Sequence, residues 1–125
     1  KSPSFTRGSR GTVAGIPTAH LSGTSSIKEH HSVGNNDLSA QYQTTIDNMR
    51  LVTGALGYPD VIGNNSGMNR EFTFYLRNED DLDAATGLFR ETTGQSGIAC
   101  TRFLHADICR RELLLEIEGS FSRPY

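Results

Sequence analysis

The sequence predicts an α+β domain in which two helices cover one face of a single mixed β-sheet, and three observations carry that prediction. Apolar residues recur every three or four positions from Leu38 to Leu56, the spacing of one helical face. They alternate in steps of two through Phe72, Phe74 and Leu76, and again through Leu113, Leu115 and Ile117, the spacing of a half-buried strand. The segments then follow as strand, strand, helix, strand, helix, strand, strand, an order that lets both helices pack on the same side of one sheet. The 125 residues suffice for one core but not for two, so residues 1–125 are expected to form one domain.

Gly8, Gly11 and Gly15 punctuate the stretch Lys1–Gly15, which reads as a short irregular strand or hairpin arm, and 17–24 reads as a strand running into a glycine turn. A polar loop, 28–36, precedes the first helix. Asn36 or Asp37 caps that helix, Leu38, Tyr42, Ile46, Met49, Val52 and Leu56 form its apolar stripe, and Gly57 ends it in a left-handed conformation. After the loop 59–68, with its turn at 64–67, comes the strand 71–77. Asn78 is placed to cap the second helix, with Glu79, Asp80 and Asp81 in the first turn where the helix dipole favours anions. Leu82, Ala85, Leu88 and Phe89 supply its buried stripe and Gly94 is expected to close it. Strands over about 98–106 and 112–121, joined by the turn 107–111, complete the order.

Composition excludes several functions. The net charge of -2, with acids and bases interspersed, argues against nonspecific attraction to nucleic acid or to an anionic membrane. The longest apolar runs, such as 113–115, are far too short to span a bilayer, and no basic-then-apolar leader opens the chain, so a soluble cytoplasmic protein is expected. The start at Lys1 rather than Met leaves room for a longer protein. A hydrophobic content of 35% is low for an isolated globule, and the sheet face left bare by the helices must be hidden, so self-association is expected. Cys100 and Cys109 are read as reduced thiols, because no CxxC pair and no secretory signal accompanies them. His30 and His31 would diverge on a strand, and His20 and His105 lie in other elements, so no metal is expected.

The segment 102–119 is where chemistry is sought. Leu113, Leu115 and Ile117 bury one face while Leu114, Glu116 and Glu118 line the other with carboxylates, an arrangement a strand tolerates only against water, a ligand or another subunit. Together with 3–7 at the start, Leu21-Ser22-Gly23-Thr24, the run from Asp37 through Gln41 to Asn48, and Glu116-Ile117-Glu118, it resembles the RidA/YjgF superfamily, also described as endoribonuclease L-PSP-like. The stretches 22–27 and 106–119 look closest to the RidA-like portion of chorismatases, which hydrolyse or eliminate the enolpyruvyl group of chorismate.

The resemblance implies a chorismate mutase-like RidA fold, a homotrimer with an inner β-barrel, and clefts between subunits that take a small anionic metabolite without any cofactor. It implies that Glu116 moves a proton or directs water, since a carboxyl held near other acids has its proton affinity raised towards neutrality. The competing account is a solvated or ion-paired strand carboxylate. Arg102 would grip a substrate carboxylate through two parallel hydrogen bonds, or else pair with Glu116 or Glu118. Imine deaminases of the superfamily carry this arginine one position further from the glutamate, an offset that reverses a strand's face unless the turn absorbs a residue.

Ser22, Gly23 and Thr24 would bring backbone N–H groups to a ligand oxygen, Gly23 allowing close approach, or would form a plain glycine turn. Cys109 has arginine neighbours of the kind that activate a thiol, though a small buried residue at a subunit contact is the simpler reading. Arg110 and Arg111 would add anion affinity at the cleft mouth, His105 would contact the ligand or an interface, and Phe5 stands where relatives carry an aromatic hydroxyl. Cys100 is read as packing. Three functions stay open: a chorismatase-like enzyme of specialised-metabolite biosynthesis, a generalist enamine or imine deaminase acting on molecules such as 2-aminoacrylate, and a noncatalytic metabolite-binding trimer. Ribonuclease activity finds neither a basic stripe nor a histidine pair behind it.

Overall fold

Strand β7 (Leu115–Ser122), the last in order among the described residues, lies at the centre of a five-stranded sheet of order β1-β2-β7-β5-β6. β1 (Gly8–Val13) and β2 (Ile16–Thr24) form an antiparallel hairpin, β2 and β5 (Asn69–Leu76) flank β7 antiparallel, and β6 (Thr101–His105) runs parallel to β5. The computed structural model describes residues 8–13, 16–28, 31–32, 37–58, 60–64, 66–108 and 110–123, the side chains of 12, 13, 16, 17, 27, 28, 31 and 32 excepted. The expected mixed sheet with both helices on one face is observed. A two-stranded ribbon of β3 (Ile27–Lys28) and β4 (His31–Ser32), formed within the expected polar loop, is an addition to it.

Helix α1 (Leu38–Ala55) begins where Asp37 accepts a hydrogen bond from the backbone N–H of Ala40, which satisfies one of the donors a helix start leaves free. Tyr42, Ile46 and Met49 are buried and Leu38, Val52 and Leu56 pack against the core, so the expected stripe is the one used. Gly57 takes a φ of 86°, as expected of a residue just beyond a helix end. α1 lies over β2 and β7 and α2 (Leu82–Ala99) lies over β5 and β6. Phe72, Phe74, Phe89 and Phe103 fill the space between, with Phe72 and Phe89 edge to face at a centroid distance of 4.9 Å.

Helix α2 departs from expectation in three ways. Glu79–Asp81 form a separate 3-10 turn, and neither Asn78 nor Asp81 makes a side-chain cap. Leu82 is 43% exposed, because at the first helical position it lies beyond the reach of the sheet, leaving Ala85 and Phe89 as the buried contacts. Gly94 kinks the helix, with φ 77° and ψ 178°, and helical backbone resumes to Ala99, so β6 starts three residues later than the expected 98. Asn64 fills the space a side chain at 94 would need. The buried Arg70 fastens the kink to the preceding loop, donating to the carbonyls of Val61, Ile62 and Gly63 and, at 2.6 Å, of Thr93. No helix among the described residues is long and apolar enough to cross a membrane.

Candidate active site

The alternation read over 113–118 continues throughout β7: Leu115, Ile117, Gly119 and Phe121 are buried beneath the helices, and Glu116, Glu118 and Ser120 face away from them. Register extends that open face across the sheet. Glu116 lies opposite Tyr75, Glu118 opposite Thr73 and Ser120 opposite Glu71 on β5, while His20 on β2 lies opposite Ser120 and shares a hydrogen bond with it at 3.1 Å. Arg102 on β6 lies opposite Thr73. Because residues opposite one another in a ladder point the same way, Arg102, Glu116 and Glu118 share one face. The register thus places Arg102 and Glu116 on one face despite the offset that their spacing raised.

Gly23 is what gives the Glu116 carboxyl its place. A Cβ at Gly23 would lie 2.8 Å from the Glu116 carboxyl carbon and 3.0 and 3.1 Å from its oxygens, so the carboxyl rests on bare β2 backbone. The β2–β7 register shifts between Leu21 and Thr24, and Thr24 Oγ1 donates to the Ser22 carbonyl at 2.9 Å within that irregular stretch. Of the three, Gly23 is the one that meets Glu116, while Thr24 pairs with Ile117. The close approach that Gly23 permits is to this carboxyl.

Tyr75 is the residue sequence reasoning missed. Its hydroxyl donates to Glu118 Oε1 at 2.9 Å, and that bond, followed by burial and by the negative charges of Glu118 and Glu116, pushes the phenol above its ordinary pKa, with Arg102 pulling the other way. The available signal was parity: Tyr75 is the aromatic out of step with Phe72, Phe74 and Leu76. Arg102 is exposed and, among the described residues, makes no hydrogen bond or ion pair, so its expected competing role as a partner of Glu116 or Glu118 is not observed.

Of the other expected residues, His105 falls on the opposite face of its strand. His105 lies opposite Leu76, with the inward-facing set, and its ring contacts the Arg77 carbonyl at 2.9 Å and the Glu79 carboxylate at 3.4 Å rather than the Arg102 side. Arg110 is half-buried in the connection 106–114. Arg77 shapes that connection by donating to the carbonyls of Ile108, Arg110 and Leu113, at 2.6, 2.7 and 2.8 Å. From the helix side the fully buried Gln41 donates to the Glu112 carbonyl at 2.9 Å and accepts from the Leu114 N–H at 2.8 Å. These two side chains deliver β7, and with it Glu116, in fixed register. Phe5 and Cys109 lie outside the described residues. Cys100, expected as packing, is an exposed free thiol at the end of α2.

No family model matches the sequence. A chorismatase of Streptomyces hygroscopicus is 31% identical over an alignment of 107 residues that covers 79% of this chain and 29% of that protein. Among solved structures, a chorismatase superposes with a TM-score of 0.76 at 25% identity, over 94% of this chain and 36% of that one. A Rid-family protein, YyfB of Yersinia pestis, superposes with a TM-score of 0.63 at 25% identity and covers 84% of this chain and 77% of its own. The chain has the fold of RidA/YjgF-family proteins. It spans about a third of the length of the chorismatases it matches.

Proposed function

We propose that this RidA-fold chain is a cofactor-independent enzyme of chorismatase type, acting on a small carboxylate-bearing enol ether at the open sheet face, where a further copy of the chain closes the cleft in a trimer. One observation carries the reading: Glu116, seated on Gly23, shares that face with Arg102, a guanidinium that makes no hydrogen bond or ion pair among the described residues. Arg102 takes the substrate carboxylate in a forked pair of hydrogen bonds. Glu116 gives its proton to the methylene carbon of the enolpyruvyl group. Water adds to the oxygen-stabilised cation that results, and the hemiketal breaks its bond to the ring oxygen, releasing pyruvate and the ring alcohol. The identity to chorismatases supports this assignment, and a part in specialised-metabolite biosynthesis follows from it.

A second reading has its own support. Among the described residues, Glu71, Glu116 and Glu118 place three carboxylates on the open face beside one guanidinium, that of Arg102, a balance that suits a zwitterionic iminium better than a dianion. In that reaction Glu116 directs water to the C=N carbon and ammonia leaves from the carbinolamine. Product analysis with chorismate and with an amino-acid-derived imine separates the two. Whichever substrate is turned over, E116Q is expected to lower the rate by about 10²-fold or more, and an E116Q protein with wild-type turnover would overturn both.

A further inference from the structure

Arg102 and Glu118 stand at opposite ends of one register row, with Thr73 between them. The row spans two strand spacings, about 10 Å between backbones. Thr73 is short and buried, so the row has a low floor between two long side chains. The groove over this floor is lined by Thr73, Arg102, Glu118, Glu71, Ser120 and His20. At one end is a guanidinium with no hydrogen bond or ion pair among the described residues. At the other, Tyr75 occupies Glu118 Oε1 and is the one hydrogen-bond partner of that carboxylate among the described residues, which leaves acceptor capacity on a group already held in place.

We infer that Glu118, held by Tyr75, accepts a hydrogen bond from a hydroxyl or ammonium group of the ligand whose carboxylate is taken by Arg102, so the groove selects small molecules that carry both. The inference rests on the anchoring role proposed for Arg102 and adds the feature that distinguishes one anionic metabolite from another. A carboxylate cannot donate, so a ligand with a second acid at that position is repelled, whereas one with a donor gains a charge-assisted bond.

Equilibrium titration of the protein with benzoate and with 3-hydroxybenzoate, which differ by one hydroxyl, tests this. The hydroxylated probe is expected to bind about tenfold more tightly, the worth of one hydrogen bond to a charged group at a partly exposed site. E118A is expected to keep its affinity for benzoate and lose the preference, Y75F to lose part of it, and R102A to weaken both probes together. Equal binding of the two probes by the wild type, or a preference that survives in E118A, overturns the inference. E116Q keeps the preference, so a failure of the proposed chemistry at Glu116 is distinguishable from a failure here.

Discussion

Replacing Gly23 by alanine tests the link between the fold and the proposed chemistry with a single methyl group. The new Cβ would lie 2.8 Å from the carboxyl carbon of Glu116, whereas unstrained carbon atoms sit about 3.5–4.0 Å apart. The carboxyl must therefore withdraw by about 1 Å. It is the far end of a flexible side chain, so the protein can yield there, and the change in stability is expected to stay within about 1 kcal/mol. A reacting group misplaced by about 1 Å costs on the order of 10²-fold in rate. G23A is thus expected to unfold in urea at nearly the wild-type midpoint while kcat falls by about 10²-fold and ligand binding through Arg102 persists. If G23A turns over substrate at the wild-type rate, the seat of the carboxyl is irrelevant to the reaction. If it loses activity in step with its folded fraction, Gly23 is structural alone.

Q41L retains volume but strips the Glu112 carbonyl and the Leu114 N–H of their partner, and is expected to cost about 2–3 kcal/mol in urea unfolding. A midpoint unchanged from wild type would mean that the approach to β7 holds itself. G94A combines a φ of 77° with a clash against Asn64 and should lower stability by about 2 kcal/mol or more, read from thermal or chemical unfolding. Burial pushes the Tyr42 phenol up to about 12, against the opposing hydrogen bond from Thr92 and the charge of Arg50. Its folded pKa thus exceeds the unfolded value near 10, so the stability linked to this group is fully present below about pH 10 and is lost as pH rises towards 12. Y42F should show a shallower loss across that window, and an identical pH profile would refute the assignment.

Periodicity is local, and what depended on it was readable in the chain. The stripe of α1, the capping carboxylate of Asp37, the glycine beyond the helix end and the two faces of β7 follow from spacing that neighbouring residues impose on one another. Where one residue had to be weighed against tertiary surroundings, spacing was insufficient. Gly94 reads as a helix stop, but Arg70 and Asn64 hold the chain there and let the helix resume. His105 stood near Arg102 in sequence, yet odd and even positions of a strand point apart. Tyr75 drew no notice because its importance lies in being opposite Glu116 and diagonal to Glu118, two residues more than forty positions away.

The sequence by itself determined the main helices and strands, their amphipathic faces, and the fact that β7 presents carboxylates on the side away from its apolar residues. The tertiary structure alone decided the strand order and register, which seat Glu116 on Gly23, tie Tyr75 to Glu118 and set Arg102 across Thr73. The physical reason is that side-chain alternation constrains one strand at a time. Which residues meet across a sheet depends on hydrogen-bond pairing between distant segments, and a slip of one position there would turn the whole acidic set into the core.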